Sequence, residues 1–372
     1  MIINIQALDT LFFKDGKPFN KGDDTWANGI FPPSPSVIYG SLRSAYIVQN
    51  RDLFSIKDLI KKTEKLRINQ IYYQIKVPIT GAKGEEKGTF FPIPNDLVMK
   101  KDVLDDEKFE RKKYKSYKTY KLILSDNTSM KSISSASSDV VLKFQTNEEV
   151  EALDNGFIDS STLKRYVRGR KEANFEGRKI TDFVVNEPKV GIGRNNITNI
   201  TEDGLLYRVG MQRTKDIELV VEFEEIEGLN FNKKGFLKLG AESKSTAYEE
   251  NLSPINLSFK STKLEDNEAD FKIYLATPTF FEQGWFPTKI FKDNEIEVEL
   301  VTAAVGKLIN IGGFDIDKKR PKPMMKAVPA GSVYYYKLKK GNLSKLASAI
   351  KMHSISEKRD KEGFGIAYLS KI

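Results

Sequence analysis

The order of segments at the end of the chain constrains its fold more than any other feature. Phe271–Ala276, Ile296–Val305 and Ser332–Leu338 are short runs rich in β-branched and aromatic residues, and each reads as a strand. Leu343–Met352 (LSKLASAIKM) places its apolar residues at helical spacing, and Gly363–Ser370 closes as a last strand. The last two of these strands, the helix and the final strand make up most of a ferredoxin-like split βαβ unit. The final strand is reached through a charged turn and Gly363-Phe364-Gly365. Glycines let backbone approach a ligand closely, and exposed backbone N–H groups attract anions. The same three residues also read as a plain tight turn into an edge strand.

The first part of the chain offers similar pieces. Ile2–Leu8 reads as a strand. Pro32, Pro33 and Pro35 exclude helix before Ser36, and Ser34 or Ser36 can cap a helix running to about Val48. Its expected buried face holds Val37, Leu42, Ala45 and Tyr46. Leu66–Val77 and Val140–Phe144 read as strands, and Thr80–Asp96 as a loop. Ser160–Lys179 reads as a short helix followed by a basic loop. Glu187–Arg208 begins as a glycine-bearing loop, and Leu206–Val209 with Ile217–Glu224 look like paired strands. The polar stretch Asn251–Asp270 marks a boundary. The expectation is an α+β fold of two tandem ferredoxin-like domains, 1–264 with insertions at about 80–180, and 265–372.

Composition narrows the chemistry. Sixty Lys and Arg against 51 Asp and Glu leave a net charge of +9, which favours a polyanionic partner. The absence of cysteine excludes disulfides and thiolate metal sites. A single histidine, His353, excludes histidine-rich metal sites and a paired-histidine nuclease. It reads either as a surface or capping residue or as a lone general base. No dinucleotide fingerprint or P-loop occurs, and no cofactor or metal is expected. No stretch reaches the ~20 apolar residues of a membrane span, and the N-terminus lacks signal-peptide features, so a cytoplasmic location is expected.

Basic segments carry the binding candidates. Lys108–Lys121 interleaves Tyr114, Tyr117 and Tyr120 with cations, a pattern suited to base stacking or to a solvated surface. Lys164–Lys179 holds Arg165, Arg168, Arg170 and Arg178, and arginine favours bidentate phosphate contact. Gly312-Gly313 reads as a turn. The cluster Phe280, Phe281, Trp285 and Phe286 reads as core packing or as a protein contact.

Six stretches together resemble one family: FPPSPSVIYGSLRSAYI (31–47), EPKVGIGRNNITNITEDGLLYRV (187–209), LKLGAESKS (237–245), TPTFFEQGWFPT (277–288), KPMMKAVPAGSVYYY (322–336) and GFGIAYL (363–369). In this order they are similar to the third-subunit family of the Cmr complex, the type III-B CRISPR effector, within the RAMP superfamily. The resemblance implies two ferredoxin-like domains and binding of the crRNA 5′ tag. It also implies the large polymerase-like subunit and a neighbouring backbone RAMP subunit as partners, with no catalysis by this chain. The family's glycine-rich loop maps onto Gly363 and Gly365. The corresponding first-half loop maps onto Gly240–Ser245, where Ala241 and Glu242 depart from the glycine pattern and Glu242 would repel phosphate. Ser36, Tyr39 and Arg43 match the proline-preceded helix. Lys189, Gly191, Gly193 and Arg194 match a loop that lies near the crRNA in this family, and Lys326 falls in the fifth stretch. With Arg165, Arg168 and Arg170, these form the expected RNA-binding set. Two other readings remain open here: a crRNA-processing endoribonuclease of the same fold, using His353 or a lysine, and the equivalent tag-binding subunit of a type III-A (Csm) complex.

Overall fold

The computed structural model describes residues 1–14, 26–78, 85–101, 115–126, 140–169, 174–194, 198, 200–242, 244–252, 270–315 and 317–372. The chain is a strand-rich mixed α/β protein with few helices among these residues. It divides into two compact units that interleave along the sequence. One comprises Met1–Ile68, Phe183–Ser253 and Ile309–Lys326, the other Asn69–Asp182, Pro254–Leu308 and Ala327–Ile372. The expected 264/265 boundary lies outside the described residues.

In the first unit, Ile217–Phe223, Ile2–Ala7, Ser245–Glu250 and Lys234–Lys238 lie side by side in that order, each antiparallel to the next. The helix Pro35–Asn50 starts with proline in its first turn, where the missing N–H costs nothing and φ is already helical. Leu42, Ala45 and Tyr46 are buried as expected, and Ile38 and Tyr39 join them. The Tyr46 ring stands edge-on to Phe223 and packs against Phe231 at 4.7 Å between centroids. Asn50, fully buried at the helix end, donates to Tyr46 O and Asn230 O and accepts from Asn230 N, so its amide is satisfied.

The expected loop at 187–208 is instead a long hairpin. Val184–Arg194 pairs antiparallel with Thr201–Thr214. Glycine and proline there suggest a loop, but each has a cross-strand reason. Pro188 faces Gly210, and Gly191 faces Tyr207, whose ring occupies the space a Cβ would need, 2.3 Å away. The expected pairing of Leu206–Val209 with Ile217–Glu224 is also corrected: Val209 faces Lys189, while Ile217–Phe223 pairs with the first strand.

In the second unit, the C-terminal sheet has the order Glu297–Ala304, Val333–Lys340, Asp270–Leu275, Ala367–Lys371, all antiparallel. Numbered along the chain, that is 2-3-1-4. The short helix Lys289–Asp293 joins the first and second of these strands, and Leu343–Met352 joins the third and fourth. Phe271, Ile273, Leu275, Tyr334, Tyr336, Leu338, Leu346 and Ile350 form its buried core. Phe280 and Phe281 are buried as well, and Trp285 stacks on Tyr334 with 6.3 Å between centroids, so the aromatic cluster is core. The expected loop at 80–96 contains a strand, Glu85–Pro92, paired with Ile68–Pro78 and Phe157–Asp159. The strand does not alternate: Glu85, Glu86 and Lys87 are exposed, while Thr89, Phe90 and Phe91 are all buried.

Candidate nucleic-acid interface

The glycine turn before the last strand is an internal joint. Gly363 and Gly365 both have positive φ, +92° and +71°, and both are buried. A Cβ on Gly365 would lie 2.3 Å from Ser356 N. Gly365 N donates to Pro278 O, Gly365 O accepts from Ile355 N, and the Ser354 hydroxyl donates to Phe364 O. Phe364 is completely buried against Phe280, 4.8 Å between centroids. The charged turn ahead of it is anchored by Glu357. That carboxylate accepts from Glu282 N, Thr288 N (3.3 Å) and Lys289 N (3.0 Å), tying the turn to the aromatic loop. The backbone around Gly365 is thus spent on packing, and the exposed groups nearby are the side chains of Lys358 and Lys361.

The residues on the proline-preceded helix also serve the frame. Tyr39 is buried, and the Ser36 hydroxyl is buried with no hydrogen-bond partner among the described residues. Arg43 crosses to the next helix, donating to Thr63 Oγ1 at 3.1 Å and Ile60 O at 2.7 Å, with its guanidinium 5.7 Å from the Tyr39 ring. In the basic segment after Ser160, Asp159 caps the helix by accepting from Ser161 N and Thr162 N. Arg165 is half-buried and donates to Thr162 Oγ1, whereas Arg168 at the helix end is exposed. Arg170 and Tyr114 lie outside the described residues. Tyr117 and Tyr120 are half-buried and already carry cations, Lys179 at 4.6 Å from the first ring and Lys100 at 5.4 Å from the second.

Lys189 sits on the exposed hairpin and pairs with Glu242 at 3.4 Å. The acid that would repel phosphate is therefore partly neutralised, and the loop 240–245 is held to the strand bearing Gly191. Gly240 has φ +86° and closes on Phe12, whose carbonyl accepts from Ala241 N. Gly193 and Arg194 end the strand Val184–Arg194. His353 is exposed at the end of Leu343–Met352, its N–H donating to Ala349 O.

Two exposed surfaces are not foreseen from the sequence. Phe314–Asp315 pairs with Arg320–Pro321 in a second hairpin, where the sequence suggests only a long loop or bent ribbon. Its turn is held by Lys318 N donating to Asp315 Oδ1, and that bond is the main reason the Asp315 carboxyl is held below its usual range. Phe314 is 59% exposed, and Lys318, Lys319, Arg320 and Lys326 are exposed. The second surface is the strand Lys234–Lys238, with Phe236 at its centre. Phe236 and Phe314 are the exposed aromatic rings among the described residues. For Phe236 the sequence carried a signal, lysines two residues away on either side, whereas Phe314 is flanked by Gly313 and Asp315 and carried none. The cavity lined by Ile5, Leu11, Phe31 and Leu219 is about 20 Å³, room for a water and not for a nucleotide.

The described residues form a strand-rich mixed α/β protein with few helices and with exposed cations on its hairpins. The sequence model of the family described as CRISPR-associated protein (Cas_Cmr3) matches residues 3–372, and the chain belongs to that family. It is a Cmr-type subunit of a type III CRISPR effector. No curated protein matches the chain. Among solved structures, a chain of the Type III-B Cmr-beta complex bound to cognate target RNA and AMPPnP matches with TM-score 0.46 and 15% identity, covering 90% of this chain and 86% of that one. A chain of Cmr-beta bound to cognate target RNA matches with TM-score 0.45, 15% identity and the same coverage. A chain of the Csm3–Csm4 subcomplex of the type III-A interference complex matches with TM-score 0.33 and 14% identity, covering 91% and 94%.

Proposed function

We propose that this chain binds the 5′ tag of the crRNA without cutting it and anchors the large polymerase-like subunit beside a backbone RAMP subunit. The observation that carries the reading is family membership across residues 3–372. The strand order 2-3-1-4, with helices in both crossovers, supports a ferredoxin-like C-terminal domain, and a second such domain precedes it in this reading. The net charge of +9 and the exposed cations on both hairpins suit a polyanion. Within this proposal Arg168, Lys189, Arg194 and Lys326 contact RNA, Arg170 extends the same basic run, and Ser36, Tyr39, Arg43, Arg165, Gly191, Gly193, Gly363 and Gly365 hold the frame. The complex acts in the cytoplasm.

The test is the affinity of the chain, paired with its large subunit, for crRNA with and without the 5′ tag. Preference for the tagged RNA supports the proposal, and equal affinities sink it. Metal-independent cleavage of repeat RNA that disappears in His353→Ala would support the endoribonuclease reading instead.

A further inference from the structure

The first unit's sheet has two unlike faces at its edge. Along Ser245–Glu250 and Lys234–Lys238, Thr246, Tyr248 and Leu237 are buried on the face that receives the helix Pro35–Asn50, where Gln49 donates to the Tyr248 hydroxyl. The alternate residues point the other way. There Lys234, Phe236 and Lys238 form one row along the edge strand, all exposed, with Phe236 72% exposed. Their register partners are Glu249, Ala247 and Ser245, and Ala247 is in turn opposite Gln6. Phe236, Ala247 and Gln6 therefore form a cross-strand row at about 4.8 Å per strand. The ring stands beside a methyl group, with an exposed carboxamide beyond it.

Phe236 serves no core. A single open ring is common on protein surfaces, so its charged surroundings decide what it can bind. The neighbouring Lys233 is neutralised by Glu250 at 3.1 Å, whereas Lys234 and Lys238 form no ion pair among the described residues, even though Glu249 faces Lys234 in register. Lys234 and Lys238 lie two residues from Phe236 on either side, a backbone spacing of about 7 Å along the strand. An aromatic face flanked by cations on both sides matches a single-stranded polyanion whose bases are free to stack. A protein partner docking by apolar burial would gain nothing from leaving two lysines unneutralised there.

We propose that Phe236, Lys234 and Lys238 form a stacking site for one base of single-stranded RNA, with the lysines on the flanking phosphates and the Gln6 amide within reach of the base edge. The site rests on the reading of this chain as an RNA-binding subunit, but it makes its own demand on experiment.

Binding of a short fluorescein-labelled single-stranded RNA to the full chain, followed by anisotropy across a salt series, tests it. Phe236→Ala should weaken binding about tenfold, since stacking on an aromatic is worth roughly 1–3 kcal/mol per base. It should leave the melting temperature and the salt slope unchanged. Phe236→Trp should bind at least as tightly as the unaltered chain. Lys234→Ala with Lys238→Ala should flatten the salt slope by about 1.4, two phosphates at about 0.7 each. Unchanged affinity in Phe236→Ala overturns the site. So does loss of capture of the large subunit with RNA affinity intact, which would make this a protein contact. Comparing tagged with untagged RNA separates the site from tag binding: a Phe236 effect without tag preference keeps the stacking site and removes the tag reading, and the converse removes the site alone.

Discussion

Replacing Asp96 by alanine should unfold the second unit more readily than any other single polar change, because its carboxylate holds a buried charge and two buried hydroxyls at once. Asp96 and Lys272 are both fully buried. Asp96 accepts from the Tyr166 hydroxyl at 2.7 Å and from the Tyr335 hydroxyl at 2.5 Å, and Lys272 Nζ lies 3.4 Å from it. The ammonium also rests 3.8 Å from the centroid of the Tyr166 ring. Burial pushes Lys272 from 10.5 down to about 7, with Asp96 opposing the fall and Lys121 adding to it. Between about 7 and 10.5 the unfolded chain holds the proton and the folded one does not, so this group makes stability rise with pH through that window. The rise is at most about 5 kcal/mol at about 1.4 kcal/mol per unit. At pH 6 the charge is present, and breaking such a buried pair costs about 3–5 kcal/mol. Orphaned tyrosine hydroxyls belong to the same loss.

Urea unfolding of the full chain, followed by far-UV circular dichroism at pH 6 and pH 9, reads this directly. Asp96→Ala should lose about 3–5 kcal/mol at pH 6 and less at pH 9, where Lys272 can shed its proton. The double variant Asp96→Asn with Lys272→Met should recover at least about 1–2 kcal/mol relative to the sum of the singles, because neither charge is left stranded. Strict additivity, or an Asp96→Ala chain as stable as the parent, would refute the reasoning.

Three further outcomes follow from the same geometry. Glu357→Ala removes the acceptor for Glu282 N, Thr288 N and Lys289 N and should cost about 1–3 kcal/mol, read as a lower denaturant midpoint with no change in RNA salt slope. Gly365→Ala should destabilise by more than about 1 kcal/mol, since the residue has φ +71° and a Cβ would meet Ser356 N; a neutral result in thermal unfolding contradicts the tight joint. Arg43→Ala should lower the unfolding midpoint by about 1–3 kcal/mol through its lost bonds to Thr63 and Ile60, while the salt dependence of RNA binding stays that of the parent.

The C-terminal sheet was legible because each of its strands carries its own apolar run, and the helix between them keeps a clear period. The helix at 35–50 was legible because three prolines fix where it can begin. The hairpin at 184–214 was not, because its glycine and proline serve cross-strand fit, which no local pattern reveals. Lys272 shows the same limit: inside FKIYLA it reads as a surface residue of a strand, and only its meeting with Asp96, far away in sequence, explains its burial. At the candidate interface residue type alone does not show what a side chain or amide is bonded to: Arg43 donates to Ile60 O and Gly365 N to Pro278 O inside the fold, whereas Phe236 lies open.

The most direct test of the account is photocrosslinking from 4-thiouridine placed in the crRNA 5′ tag of the assembled effector. The account predicts crosslinks to this chain, on peptides from its two exposed hairpins. Crosslinks confined to other subunits would contradict it.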